Sequence, residues 1–132
     1  MTKASDRAPS AADFELIADK AYRRIPARLR RLVDNVVIRI EEFPDADVMV
    51  DMELDSEYDL LGLYSGVSLD RKSVLDTPHA LDMIFLYRRP IIDYWAESGD
   101  TLEEVIRHVL IHEIGHHFGL SDEEMERIEN EA

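Results

Sequence analysis

The segment 102–118 constrains the fold most, because its residues predict a long helix that is uncharged except for Glu113 between Val109 and Phe118. Thr101 and Glu104 have the spacing of a capping box at its start, and Ser121 and Glu124 have the same spacing at the start of the last helix. Gly119 follows the segment, and glycine readily adopts the left-handed conformation that ends helices. In the second half of the segment Glu113 is the one acidic residue, and there is no Lys or Arg. A helix of this kind is expected to be buried at the centre of a domain.

The other periodic segments are shorter and indicate an α+β fold around that helix. Apolar spacing and β-branched runs predict the remaining elements, which are two helices or one kinked helix over 11–34, strands over 36–40, 60–64 and 81–87, a turn region over 93–99, and a last helix over 122–130. The length of 132 residues corresponds to one ordinary domain. We therefore expect a flexible leader over 1–10 and a single domain over 11–132.

The charge balance and the residue types narrow the possible partners and sites. Twenty-nine acidic residues against 15 basic ones leave a formal charge of −14, which repels phosphate backbones and anionic lipid. We therefore expect neither nucleic acid nor a membrane surface as a partner. The chain has no cysteine, which excludes a disulfide scaffold, a cysteine-ligated metal and a thiol nucleophile. No apolar stretch resembles a secretory signal, so we expect the protein in the cytoplasm.

Two charged stretches allow more than one interpretation. The first is 41–70, with ten acidic residues and no Lys or Arg. Asp51 could begin a calcium loop, but Ser56 and Gly62 stand where that loop needs Gly and Glu, so a solvated acidic loop or short helix is favoured. The second stretch is a group of arginines, Arg23, Arg24, Arg28, Arg30 and Arg31. It is either a docking patch or, as we favour, a solvated helix face that offsets acidity elsewhere.

Four of the five histidines fall within 108–117, and two of them have the spacing H-E-x-x-H. His112 and His116 are four residues apart, so their imidazoles share one helix face and can reach one ion. Glu113 is rotated by about 100° from His112 and can lie beside that ion without binding it. Two neutral nitrogens suit zinc, and an unligated carboxylate suits the acceptance of a proton from water.

A third ligand is expected just beyond the helix. Gly119 allows a sharp turn, after which Asp122 can return a carboxylate oxygen to the ion and leave the fourth position open. For the two histidines, the alternative is a buried, hydrogen-bonded pair that binds no metal. For Asp122, the alternative is an acid in the first turn of the last helix, where the helix dipole favours a negative charge. His108 is expected to support the pair from one turn away or to be partly exposed. His117 points about 100° away from His116 and is not expected to be a ligand.

These residues resemble a known family of enzymes. The stretch 112–122 is similar to the active-site helix of the zincin metallopeptidases in the form H-E-x-x-H-x-x-G-x-x-D. The chain as a whole, over roughly 14–130, resembles the small bacterial minimal zincins, and the likeness includes 60–67 and 85–90. The resemblance implies a minimal zincin-like α+β fold, with a small mixed sheet packed on helices. The chain departs from the larger metzincins, which have His in place of Asp122 and a methionine turn well downstream.

By resemblance His112, His116 and Asp122 are the ligands of one zinc ion, and Glu113 is the general base. The strand over 81–87 would be the sheet edge that aligns an extended peptide or protein substrate. The first hypothesis is a zinc-dependent metallopeptidase. The alternative is a catalytically weak or inactive metal-binding module that acts through protein partners. A third possibility, an RNA hydrolase with a related histidine helix, is opposed by the charge of −14 and by the Glu after His112.

Overall fold

The computed structural model describes residues 8–33, 36–66 and 82–131. The elements of these ranges are, in chain order, α1 (Ala11–Arg23), α2 (Ala27–Arg30), β1 (Val37–Glu41), α3 (Ala46–Asp51), β2 (Gly62–Ser65), β3 (Met83–Tyr87), α4 (Arg88–Ser98), α5 (Leu102–His117) and α6 (Asp122–Glu131). The α+β prediction is confirmed. The first seven residues of the predicted leader lie outside the described ranges, as do positions 34–35, 67–81 and 132.

The three strands form one mixed sheet in the order β1-β3-β2. β1 runs parallel to β3, with Ile38 opposite Ile84, and β2 runs antiparallel to it, with Tyr64 opposite Ile84. The prediction that the strand over 81–87 is the sheet edge is wrong in its described part. β3 has a neighbour on both sides, so its main-chain groups are already paired, and β1 and β2 are the edges.

Helix α5 is the centre of the fold, as its apolar character predicts. It packs against α1, β2, β3, α4 and α6. Eight of its residues are buried, and its fully buried side chains meet those of α1, the sheet and α6. The largest fully buried side chains of the core are Phe14, Ile25, Leu29, Ile84, Leu86, Ile91, Ile106, Leu110, Ile111, Ile114 and Met125.

The predicted helix ends are confirmed around α5 and α6. The hydroxyls of Thr101 and Ser121 each accept the N–H three residues ahead, at 3.1 Å in both cases. Gly119 is in the left-handed region with a φ of 78°. The N–H of Leu120 then donates to the carbonyl of Gly115 at 2.8 Å, and that of Gly119 donates to His116 at 3.2 Å. These two bonds close α5 with a Schellman turn and send the chain directly into α6.

The prediction of a turn region over 93–99 is wrong, because those residues form the later turns of α4. The helix begins at Arg88 immediately after β3. Pro90 lies in its first turn, where a missing N–H removes no helical hydrogen bond. The buried residues of α4 are Pro90 and Ile91, and its later turns are mostly exposed apart from the partly buried Trp95, which packs on the core. Gly99 ends it in the left-handed conformation.

The two charged stretches form short, solvated structures. The described part of the acidic stretch contains the short helix α3, in agreement with the favoured interpretation. Three of the clustered arginines pair with acids, Arg23 with Asp19, Arg24 with Glu103 and Arg28 with Glu131. These pairs agree with a face that offsets acidity. Within the described ranges, each helix is too short or too polar to cross a membrane.

Candidate metal centre

A row of three imidazoles lies along the side of α5 that faces α6. His108, His112 and His116 are spaced one helical turn apart. The ring centroids of the first two are 4.1 Å apart, and those of the last two are 5.7 Å apart. Because α5 is anchored in the core on its other sides, this row is presented at a fixed place beside the last helix.

Helix α6 brings a carboxylate between the first two imidazoles. Glu129 Oε2 lies 2.7 Å from His108 Nδ1, and Glu129 Oε1 lies 3.8 Å from His112 Nε2. One ligand atom from each of these three residues lies within 4.8 Å of the other two. In the part of the chain that the structure describes, this is the one group of three potential metal ligands that meets that criterion. The group lines a groove of about 560 Å³ between the two helices.

The two remaining predicted ligands meet at the other end of the row. His116 Nε2 lies 3.8 Å from Asp122 Oδ1. Their side chains are 58% and 94% exposed, whereas that of Glu129 is 26% exposed. Asp122 stands in the first turn of α6, directly after the Schellman turn. The structure therefore brings Asp122 to His116 and Glu129 to His112, and the assignment of His112, His116 and Asp122 as one ligand set stays a prediction.

The donor types and distances of both pairs fit a zinc ion. Ligands about 2.0–2.1 Å from a tetrahedral zinc are about 3.3 Å from one another, so a nitrogen–oxygen distance of 3.8 Å needs only a small adjustment. Burial, together with the neighbouring His108, lowers the pKa of His112. A lower pKa favours the neutral imidazole, which is the form that binds a metal.

Glu113 lies on a different side of α5, against the sheet. Its Oε1 accepts a hydrogen bond of 3.2 Å from the backbone N–H of Tyr64 in β2. Burial raises the pKa of Glu113, although this hydrogen bond and His116 act in the opposite direction. Gly62 permits the close approach of β2, because a Cβ there would lie 2.6 Å from Val109 Cγ1 and 3.6 Å from Glu113 Cγ. The carboxylate is thus held beside the imidazole row and is partly withdrawn from solvent.

Tyr64, whose N–H holds this carboxylate, also makes two contacts through its side chain. The ring of Tyr64 stacks on His117 with centroids 3.9 Å apart, and its hydroxyl donates to Asp82 Oδ2 at 2.5 Å. His117 therefore packs on β2 and takes no part in the imidazole row, as expected. Burial, with the nearby Asp45, raises the pKa of Tyr87 to about 12.

The position of α6 depends on a second glycine. A Cβ at Gly115 would lie 2.4 Å from Met125 Sδ, and Met125 is fully buried. Gly115 is the second x of the H-E-x-x-H motif, and its lack of a side chain lets α6 lie close against α5. This contact brings Glu129 within reach of His108 and His112.

A family model described as zincin-like metallopeptidase matches residues 33–132 of the chain. The chain belongs to this family. A search of the curated proteins finds none that matches. Membership in the zincin-like metallopeptidases supports a metal-dependent, peptidase-like function and a zinc cofactor, and it agrees with the imidazole and carboxylate groups found between α5 and α6.

Two features of this zincin-like site were missed from the sequence. The first is Glu129, for which a signal was present. Asp122, Glu126 and Glu129 are spaced so that they share one face of a helix, and that face is complementary to the row of imidazoles on α5. The second is the N–H of Tyr64, which is a main-chain group and has no sequence signature.

Proposed function

We propose that this chain is a zinc-dependent peptidase in which His112, His116 and Asp122 hold the metal and Glu113 is the general base. The observation that carries the proposal is the position of Glu113, which is partly buried beside the imidazole row and held by the N–H of Tyr64. A structural carboxylate would gain little from such burial, because burial disfavours its charge.

The ligands provide two imidazole nitrogens and one carboxylate oxygen. This set suits zinc and leaves one position of a tetrahedral arrangement open. When bound, zinc supplies Lewis acidity toward a carbonyl oxygen and toward water. The lowered pKa of His112 favours its neutral, metal-binding form. Asp122 lies at the start of α6, where it can move by the small distance that ligation requires.

The proton transfer belongs to Glu113. Its Oε1 is held by Tyr64, so the carboxylate has a defined direction, and its raised pKa makes it a stronger proton acceptor at neutral pH than an exposed Glu. In the proposed reaction Glu113 takes a proton from the attacking water. It then donates that proton to the nitrogen of the leaving amine, so the carboxylate is restored.

We assign substrate alignment to β2, which is the sheet edge next to Glu113. The N–H of Tyr87 donates to the carbonyl of Leu61 at 2.9 Å, so the main-chain groups of Leu61 point toward β3. In an antiparallel pair the direction of the main-chain groups alternates, so those of Gly62 and Tyr64 face away from β3. Because Glu113 already accepts the N–H of Tyr64, an extended peptide added along this edge would pair with the main-chain groups of Gly62 and the carbonyl of Tyr64, and it would place a carbonyl near Glu113.

The test is Glu113→Gln, which keeps the shape of the side chain and removes its basicity. We expect zinc content to stay at the wild-type level while hydrolysis of a fluorogenic peptide library falls by about 100-fold or more. The matched control is Glu97→Gln on α4, which changes the charge equally at an exposed position and should leave hydrolysis unchanged.

Two results would overturn the proposal. One is full hydrolysis by the Glu113→Gln protein. The other is a wild-type protein that binds zinc tightly and cleaves no member of the library, which would favour the metal-binding module that acts through protein partners.

A further inference from the structure

The second group of potential ligands, His108, His112 and Glu129, is not explained by the motif. Its atoms are closer together than those of the motif residues, and Glu129 is much less exposed than Asp122. An ordinary surface ion pair would need only one imidazole. Here one carboxylate directs Oε2 to His108 and Oε1 to His112.

The chemistry of this group matches one class of ligand. Two imidazole nitrogens and a carboxylate oxygen are typical donors for Zn²⁺ and similar first-row divalent ions, whereas Mg²⁺ and Ca²⁺ prefer oxygen alone. The groove beside the group also contains Asp122 and Glu126, so its negative charge attracts a cation.

We propose that His108, His112 and Glu129 form a second position for zinc or a similar ion, which shares His112 with the motif position and therefore excludes it. Each imidazole nitrogen has a single lone pair. An ion bound by Nε2 of His112 joins either Glu129 and His108, or His116 and Asp122. An ion in the second position occupies His112, so His112 is then not available to bind zinc together with His116 and Asp122 beside Glu113. The exclusion rests on the proposed function, whereas the second position itself does not.

The decisive experiment removes the motif ligands and leaves the second position intact. We would prepare His116→Gln/Asp122→Asn and titrate it with Zn²⁺ against a chromophoric chelator, and with Co²⁺ by visible absorption. The double variant should bind one equivalent of Zn²⁺. Adding Glu129→Gln should weaken that binding by at least about tenfold, because even residues that only support ligands have effects of this size.

The matched control is Glu126→Gln in the same double variant. Glu126 lines the same groove on the same helix but lies outside the group of three, so the loss of its charge should weaken binding much less than Glu129→Gln does. His108→Gln gives an independent variant, and it should weaken binding as Glu129→Gln does. Circular dichroism and thermal unfolding establish that each protein is folded before its metal content is interpreted.

Several outcomes would overturn the inference. A folded double variant that binds no ion removes the second position and leaves the proposed peptidase site intact. Equal Zn²⁺ affinities in the Glu129→Gln and Glu126→Gln proteins would also rule out the second position. Wild-type protein that binds two equivalents of Zn²⁺ at once would overturn the mutual exclusion. Loss of peptide hydrolysis alone bears on the proposed function and not on this position.

Discussion

Two sides of the same helix, α5, present different chemistry because different neighbours cover them. The side toward α6 carries imidazoles that are partly exposed and lie against carboxylates. The side toward β2 carries Glu113, which is partly buried and accepts a main-chain hydrogen bond. At each side a glycine allows the close approach, Gly115 beneath Met125 and Gly62 beside Val109. The comparison teaches that the proposed metal binding and the proposed proton transfer depend on separate contacts, so we expect that each can be disturbed without the other.

The largest effect is expected from Met125→Ala, which weakens the contact between α6 and α5. Met125 is fully buried, and truncation of such a side chain costs about 2–5 kcal/mol of unfolding free energy. Zinc affinity should fall with it, because α6 supplies Asp122 and Glu129. Chemical unfolding and metal titration test this, with Met52→Ala, at a residue 46% exposed, as the control that should change little. Unchanged zinc affinity in a destabilised protein would break the link between this packing and the ligands.

A smaller and different effect is expected from Gly62→Ala. The added Cβ would lie 2.6 Å from Val109 Cγ1 and 3.0 Å from the carbonyl oxygen of Phe85, and such overpacking costs about 1–3 kcal/mol. We expect peptide hydrolysis to fall because β2 moves away from Glu113, while zinc affinity stays near that of the wild type. The control is Ser65→Ala at the exposed end of β2. An equal loss of zinc affinity would mean that the two sides of α5 are coupled.

The smallest effect concerns the caps of the two helices that form the groove. Hydrogen bonds with Ser121 lower the pKa of Glu124 below the ordinary value of 4.5, the bond from the Ser121 N–H having the larger effect and the bond with its hydroxyl the smaller one. Thr101 lowers the pKa of Glu104 in the same way. Because the folded pKa is the lower one, this stabilisation is present above about pH 4.5 and is lost as the pH falls through the folded value. Ser121→Ala should return the pKa of Glu124 toward 4.5 and leave that of Glu104 unchanged. Carboxyl NMR titration measures both, and a shift at both sites would show that the caps are not independent.

Local features of the fold were predictable because each depends on a few neighbouring residues. The capping pairs at Thr101 and Ser121 and the turn at Gly119 follow from hydrogen bonds three to five residues apart. Helix α4 was missed, since a proline in a first turn and a mainly exposed second half resemble a strand end followed by a turn. The assignment of the strand over 81–87 to the sheet edge was also wrong, because pairing of β3 with both β1 and β2 depends on contacts that no local pattern encodes.

The same distinction applies to the site. His112, Glu113 and His116 are visible as a motif because one helix fixes their relative directions. Glu129 is not visible in isolation, since the last helix has many acidic residues and only its crossing with α5 selects one of them. The backbone partner of Glu113 comes from a strand 49 residues earlier, so the raised pKa of the carboxyl could not be anticipated from its neighbours in sequence.

The turn at Gly119 and Leu120 has a kinetic consequence. It folds α5 and α6 into a hairpin in which His108 meets Glu129 across 21 residues, whereas Tyr64 meets Glu113 across 49. Closing the longer loop costs about 0.7 kcal/mol more in chain entropy. We expect the hairpin that carries the proposed cation ligands to assemble before the sheet docks on Glu113, so that an ion captured early would speed folding before the proposed general base is in place.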